Sequence, residues 1–114
     1  MKNGKGFWLA AAESYLADCR DKSCCVRASE FALRVNRTPV QLAKEFHAVV
    51  GLRVKEYFHA VQIDYAKQLL RTTPHGTAHI AALCGFGTAR SFYRAFRRST
   101  GVSPTDYRKE LSLA

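Results

Sequence analysis

Carboxylates are scarce in this chain. Its 114 residues hold nine Asp and Glu against eighteen Lys and Arg, a formal net charge of +9 at pH 7. Between Asp64 and Asp106 there is no acid at all, while the same stretch carries Lys67, Arg71, Arg90, Arg94, Arg97 and Arg98. Acids this few and scattered do not build a general acid–base site, and no Ser/His/Asp set or phosphate-cradling glycine loop appears. Enzymatic activity is therefore not expected. A surface of this sign has a polyanion as its usual partner, nucleic acid first and an anionic membrane second.

Long apolar runs are missing too. None approaches the roughly 18 residues of a membrane span, and Phe7–Ala12 soon meets Glu13, too short for a signal segment. A soluble, cytoplasmic protein without a membrane partner is expected. Three Pro and seven Gly leave no linker or low-complexity tract. Alternating strand patterns are short and β-branched residues scattered. The four cysteines, Cys19, Cys24, Cys25 and Cys84, lack the paired spacing of a zinc site. They read as free thiols, and the sequence assigns Cys19, Cys24 and Cys25 no role. His75 and His79 stand four apart, but no complete ligand set can be named around them. They read as a polar turn and an exposed helical His, so neither metal nor cofactor is expected.

What is present is helical periodicity, which predicts an all-α fold. Trp8, Ala11, Ala12, Tyr15, Leu16 and Cys19 form one stripe over 7–19, and Ala28, Phe31, Ala32 and Val35 another. Thr38-Pro39-Val40-Gln41 reads as a capped helix start with Gln41 closing a capping box; this helix buries Leu42, Phe46 and Val49 and ends near Gly51. A long helix follows over 54–72. Val54, Tyr57, Phe58, Val61, Tyr65 and Leu69 make one of its stripes, and Ile63, Ala66 and Leu70 a second, as in a strut between two small cores. Pro74 and Gly76 break it. Further helices are predicted over 77–84, from Thr88 to near Gly101 burying Phe92, Ala95 and Phe96, and from Ser103-Pro104 to about residue 111. Trp8, Tyr57 and Tyr107 read as core or cap residues.

The two halves repeat. Leu42, Phe46, Gly51 and Tyr57 recur 50 positions later as Phe92, Phe96, Gly101 and Tyr107. Asn36 and Gly85 occupy matching turns, and both residue types tolerate positive φ. Each half is a short helix, a tight turn and a second helix: a helix-turn-helix, whose second helix normally enters the major groove. On a helical wheel Val40, Lys44 and His47 oppose the core-facing Leu42 and Phe46, and Arg90, Arg94 and Arg97 take the matching positions with Arg98 beside them. Arginine reads guanine through two hydrogen bonds and also clamps phosphate.

The run from Gly85-Phe86 through Phe92-Tyr93-Arg94-Ala95-Phe96, then Gly101-Val102-Ser103-Pro104 and Tyr107-Arg108, resembles the signature of AraC/XylS-type transcriptional regulators. The likeness extends over roughly residues 7–111. It implies seven helices, with two helix-turn-helix units joined by a long helix, expected here as 1–53, 54–72 and 73–114. It implies a sequence-specific, double-stranded-DNA-binding regulator reading two adjacent major-groove segments. Base-contacting positions fall on Val40, Gln41, Ala43 and Lys44 in the first unit and on Ala89, Arg90, Tyr93 and Arg94 in the second. Phosphate contacts fall on Thr38, His47, Thr88, Arg97 and Arg98. RNA polymerase is a further candidate partner, and a monomer is expected. The chain departs from the family pattern at Asn36, often Gly; at Arg53-Val54, usually Ser-Pro; and at Gln62, typically Arg. Two alternatives stay open: the DNA-binding module of an alkylation-repair methyltransferase, or a helical protein- or RNA-interaction domain.

Overall fold

A computed structural model describes the backbone of residues 4–113 and the side chains of 4–111. The ends of the two expected outer segments, residues 1–3 and 114, lie outside the described residues. Among the described residues there are seven α-helices and no strand: α1 (Lys5–Lys22), α2 (Ala28–Arg34), α3 (Pro39–Val50), α4 (Val54–Thr72), α5 (Thr77–Leu83), α6 (Ala89–Thr100) and α7 (Pro104–Leu113). Helix α1 runs a turn further than its apolar stripe, because Ser23 in the left-handed region (φ 54°) closes it only after Lys22. Ala28 is exposed rather than part of a buried stripe, since it sits in the first turn of α2.

Two aromatic cores are built around α4. The first gathers Trp8, Tyr15, Leu16, Phe31, Leu42, Phe46, Val54 and Phe58 from α1 to α4. Phe31 is at its centre, with ring centroids 5.4 Å from Phe58, 5.6 Å from Tyr15 and 6.4 Å from Phe46. Truncating such a ring to Ala costs about 3–5 kcal/mol. The second core gathers Ile63, Ala66, Leu70, Ile80, Phe86, Phe92 and Phe96 from α4 to α6, with Tyr107 of α7 against it. The stripe expected to run from Val54 to Leu69 is therefore divided. Its first part, with Tyr57 and Val61, serves the first core, whereas Tyr65 and Leu69 serve the second. Periodicity locates a helix face, but the neighbours along the axis decide which core that face joins.

The repeat is repeated in three dimensions. Asn36 (φ 59°) and Gly85 (φ 84°) both take the left-handed turn conformation. In each unit the next amide bonds back across the turn, Arg37 N to Ala32 O at 2.8 Å and Phe86 N to Ala81 O at 3.1 Å, a helix-closing pattern that satisfies the last carbonyls. Thr38 and Thr88 cap α3 and α6, and Gly51 and Gly101 end them. Tyr57 stands edge-on to Phe46 at 5.8 Å, and its counterpart Tyr107 edge-on to Phe96 at 5.4 Å. Arg108 fastens α7 to the end of α4, donating to the carbonyls of Leu70, Thr73 and His75. Leu70 lies in the last turn of α4, whose carbonyls a helix end leaves without partners, and Thr73 and His75 lie just beyond it, which gives Arg108 a structural reason.

The halves also touch directly. Residues 23–27 between α1 and α2 lie on the Gly85 turn, where Val26 N–H donates to Gly85 O at 2.8 Å. Gln62, 5% exposed within α4, donates through Nε2 to Cys84 O at 2.9 Å. The Arg20 guanidinium covers the Tyr65 ring at 5.2 Å. The body is elongated, 52 × 26 × 22 Å.

Candidate nucleic-acid interface

The second helix of each unit, α3 and α6, begins at a threonine. Thr38 Oγ1 accepts the Gln41 amide at 3.2 Å, and Gln41 Oε1 accepts the Thr38 amide at 3.0 Å. The capping box expected from the sequence is formed, and it engages the Gln41 side-chain oxygen, leaving its Nε2 donors outward. Thr88 Oγ1 accepts the Ser91 amide at 3.0 Å and is also 3.0 Å from the Ser91 hydroxyl. The first amides of α6, at Ala89 and Arg90, face the open end of the helix, where backbone N–H groups have no intrahelical acceptor.

On α3 the exposed face holds Val40, Gln41, Ala43, Lys44 and His47. Val40 is 65% exposed, unusual for a valine with a core one turn away. On α6 the exposed face holds Ala89, Arg90, Tyr93, Arg94, Arg97 and Arg98. Among the described residues, ion pairs join Arg34 to Asp18 and Arg37 to Glu45, while the four arginines of α6 have no carboxylate partner. Tyr93 is tethered rather than free: its hydroxyl is 2.5 Å from Thr77 Oγ1 at the start of α5, and its ring meets Phe92 edge-on.

A trough connects the two faces. Ala43, Lys44 and His47 of α3 share a hollow of about 540 Å³ with Arg53 and Lys55 at the start of α4. Lys55 and His59 share the next hollow, about 210 Å³, with Ser91, Arg94 and Arg98 of α6. The structure thus brings Lys44, His47, Arg94 and Arg98 onto one surface and leaves Arg90 and Arg97 outside the trough. Sequence reasoning missed Lys55 and His59. They stand four apart on the polar strip between the two apolar faces of α4, which was the available signal. His59 is half-buried with its ring on Phe86, centroids 5.7 Å apart. Burial, then the charges of Lys55 and Arg98, push its imidazole below the usual histidine range.

Among the described residues, no group of three or more His, Cys, Asp or Glu gathers as for a metal, and no helix is long and apolar enough to cross a membrane. His75 and His79 stack at 4.6 Å on the surface.

The pattern of the helix-turn-helix domain family matches residues 31–110, through both units and the long helix. A curated relative, the HTH-type transcriptional regulator Rv1931c of Mycobacterium tuberculosis, is 36% identical over 83 residues, covering 73% of this chain and 32% of its own length. The HTH-type transcriptional activator RhaR of Yersinia pseudotuberculosis is 35% identical over 68 residues, covering 60% of this chain and 23% of its own. The chain thus spans no more than a third of either relative. Among solved structures, the DNA-binding domain of the transcriptional factor AdpA, determined with a target DNA, superposes with a TM-score of 0.74. That likeness covers 88% of this chain and 91% of AdpA's domain at 21% identity, and so speaks to the fold. Two matching units, a shared strut and a pattern spanning both give one conclusion: the chain belongs to the AraC-type helix-turn-helix domain family.

Proposed function

We propose that this chain is a sequence-specific, double-stranded-DNA-binding module of a transcription regulator, with α3 and α6 entering adjacent major-groove segments on one side of the duplex. The observation that carries the reading is α6: four exposed arginines, none paired with a carboxylate, on the helix that a helix-turn-helix presents to DNA. The 52 Å body suits two heads about one helical turn, 34 Å, apart. Two heads in one chain need no second copy, so the module binds as a monomer.

In this reading Arg94 and Arg90 take guanine edges, and Val40 and Ala43 meet thymine methyls. Lys44 offers a point charge rather than a planar fork. Gln41 reads through its free amide nitrogen, and Ala89 and Tyr93 line the edge of the α6 footprint. Thr38, His47, Thr88, Arg97 and Arg98 hold phosphates and set the register without reading sequence. Selection of bound sites from random duplexes is the test. Two enriched elements, centred about 10 base pairs apart, are expected. No enrichment, or equal capture of RNA and duplex DNA, would overturn the proposal.

A further inference from the structure

The surface between the reading heads has a chemistry of its own. A duplex that meets the outward faces of both α3 and α6 must cross the first two turns of α4, because the trough there is continuous with both faces. What crosses at that point is sugar–phosphate backbone, since the bases being read lie in the grooves to either side. The trough is lined for an anion. Arg53 and Lys55 come from the start of α4, Arg94 and Arg98 from α6, with His59 at the floor. One carboxylate faces them: Glu56, whose Oε1 accepts the Arg53 amide at 3.1 Å as part of the helix start.

We propose that Lys55 and His59 of α4, together with Arg98 of α6, clamp a backbone phosphate between the two heads, and that His59 takes up a proton from solvent as the phosphate seats. The assignment rests on the double-stranded-DNA reading above and adds two residues and a pH dependence to it. In the free protein His59 is half-buried and lies near Lys55 and Arg98, so a positive charge on its ring is unfavourable. Its ring is held against Phe86, which fixes its approach to the trough. A phosphate reverses the balance: it neutralises Lys55 and Arg98 and accepts the imidazolium hydrogen bond, a charge-assisted contact. The sign follows by linkage. The bound form favours protonated His59, so affinity rises as pH falls through the window between the free and bound values. One proton gives at most a tenfold change in affinity per pH unit.

Duplex affinity measured near pH 6 and pH 7.5 tests the clamp. The parent protein is expected to gain about fivefold more than His59→Gln over that range. His47 is a second imidazole exposed on α3, so His47→Gln is measured alongside; it must keep the His59-dependent part of the slope. Lys55→Gln is expected to shallow the salt dependence by about one phosphate. His59 touches Phe86, so a second measurement avoids substitution: ring titration by NMR in the unsubstituted protein, free and duplex-bound. An upward move of His59 on binding supports the clamp. Equal pH slopes in parent and His59→Gln, or an unmoved His59 titration, overturn it while duplex binding stands. No duplex binding at low salt overturns both readings.

Discussion

Replacing Gly85 by Ala tests the contact between the halves. Gly85 has φ 84°, and a Cβ built there would lie 2.8 Å from Val26 Cγ2, 3.4 Å from Cys24 O and 3.5 Å from Gln62 Nε2. The left-handed backbone alone costs an L-residue about 1 kcal/mol. The contact with Val26 lies on a docked loop, so relief requires that loop to shift. The shift strains the hydrogen bond from Val26 N to Gly85 O, and the added Cβ also meets Gln62 Nε2, which donates to Cys84 O. Each is worth about 1 kcal/mol, more where a buried partner is left unsatisfied. The expected loss is about 2–4 kcal/mol, a fall in melting temperature of about 10 °C or more. Gly51 and Gly101 supply the control, with φ 88° and 85° but nothing within 4 Å of the added Cβ. Their Ala variants are expected to lose only the backbone part, about 1 kcal/mol. Urea and thermal unfolding followed by circular dichroism give the ranking. Adding Val26→Ala to Gly85→Ala removes the clashing methyl and should return part of the loss, a coupling visible in a double-mutant cycle. If Gly85→Ala costs no more than Gly51→Ala, the close docking of residues 23–27 on the turn is refuted.

Arg94→Ala is expected to lose about 1–3 kcal/mol on the preferred site and relax preference at one or two base pairs. Arg98→Ala should weaken all duplexes alike and shallow the salt slope, near −5 for about six phosphates, by about one. Equal losses by Arg94→Ala on preferred and random duplexes would make Arg94 a phosphate contact. Gln62→Leu leaves the Cys84 carbonyl buried without its donor and should cost about 1–3 kcal/mol, read by urea unfolding; a neutral result would mean that this bond contributes nothing net. Burial pushes the Cys84 thiol from 9.0 up to about 12. Its raised value contributes stability that is full below the unfolded value, declines as pH rises above it and is gone past the folded one. Unfolding at about pH 8 and about pH 10 should therefore show a smaller alkaline loss in Cys84→Ala than in the parent.

Local chemistry made most of the helices legible. Thr38 and Thr88 cap through their own side chains, and Asn36 and Gly85 turn the chain because few residues accept positive φ. None of that needs a distant partner. The face of α6 was legible for a similar reason, since Phe92 and Phe96 fix inward and therefore Arg90 and Arg94 outward. Contacts distant along the chain were not. Nothing near Val26 in sequence announces that it rests on Gly85, and a glutamine in mid-helix reads as solvated until the Cys84 carbonyl opposite it is known. That α4 serves two cores was legible from its two apolar stripes, but the point at which the Val54–Leu69 stripe passes from one core to the other was hidden, because both cores accept the same apolar residues. His59 was overlooked because a polar residue between two apolar stripes ordinarily faces water; the approach of α6 turns that water-facing strip into the floor of a trough.

The docking of residues 23–27 on the Gly85 turn bears on the spacing of a bound site. Two heads on a flexible tether would search for their half-sites separately and tolerate inserted base pairs. Here α4, Gln62 and the Val26 contact hold both heads as one piece. Once the first is seated, the second arrives without a further loss of translational freedom, which is the gain of rigid bivalency. The same rigidity makes the partnership intolerant. One inserted base pair moves the second half-site by about 3.4 Å and swings it by about 35° around the duplex axis. Under the two-head binding proposed above, a body locked in this way would have to bend the DNA or release one head, so that the distance between half-sites would itself be read, at positions that no side chain touches.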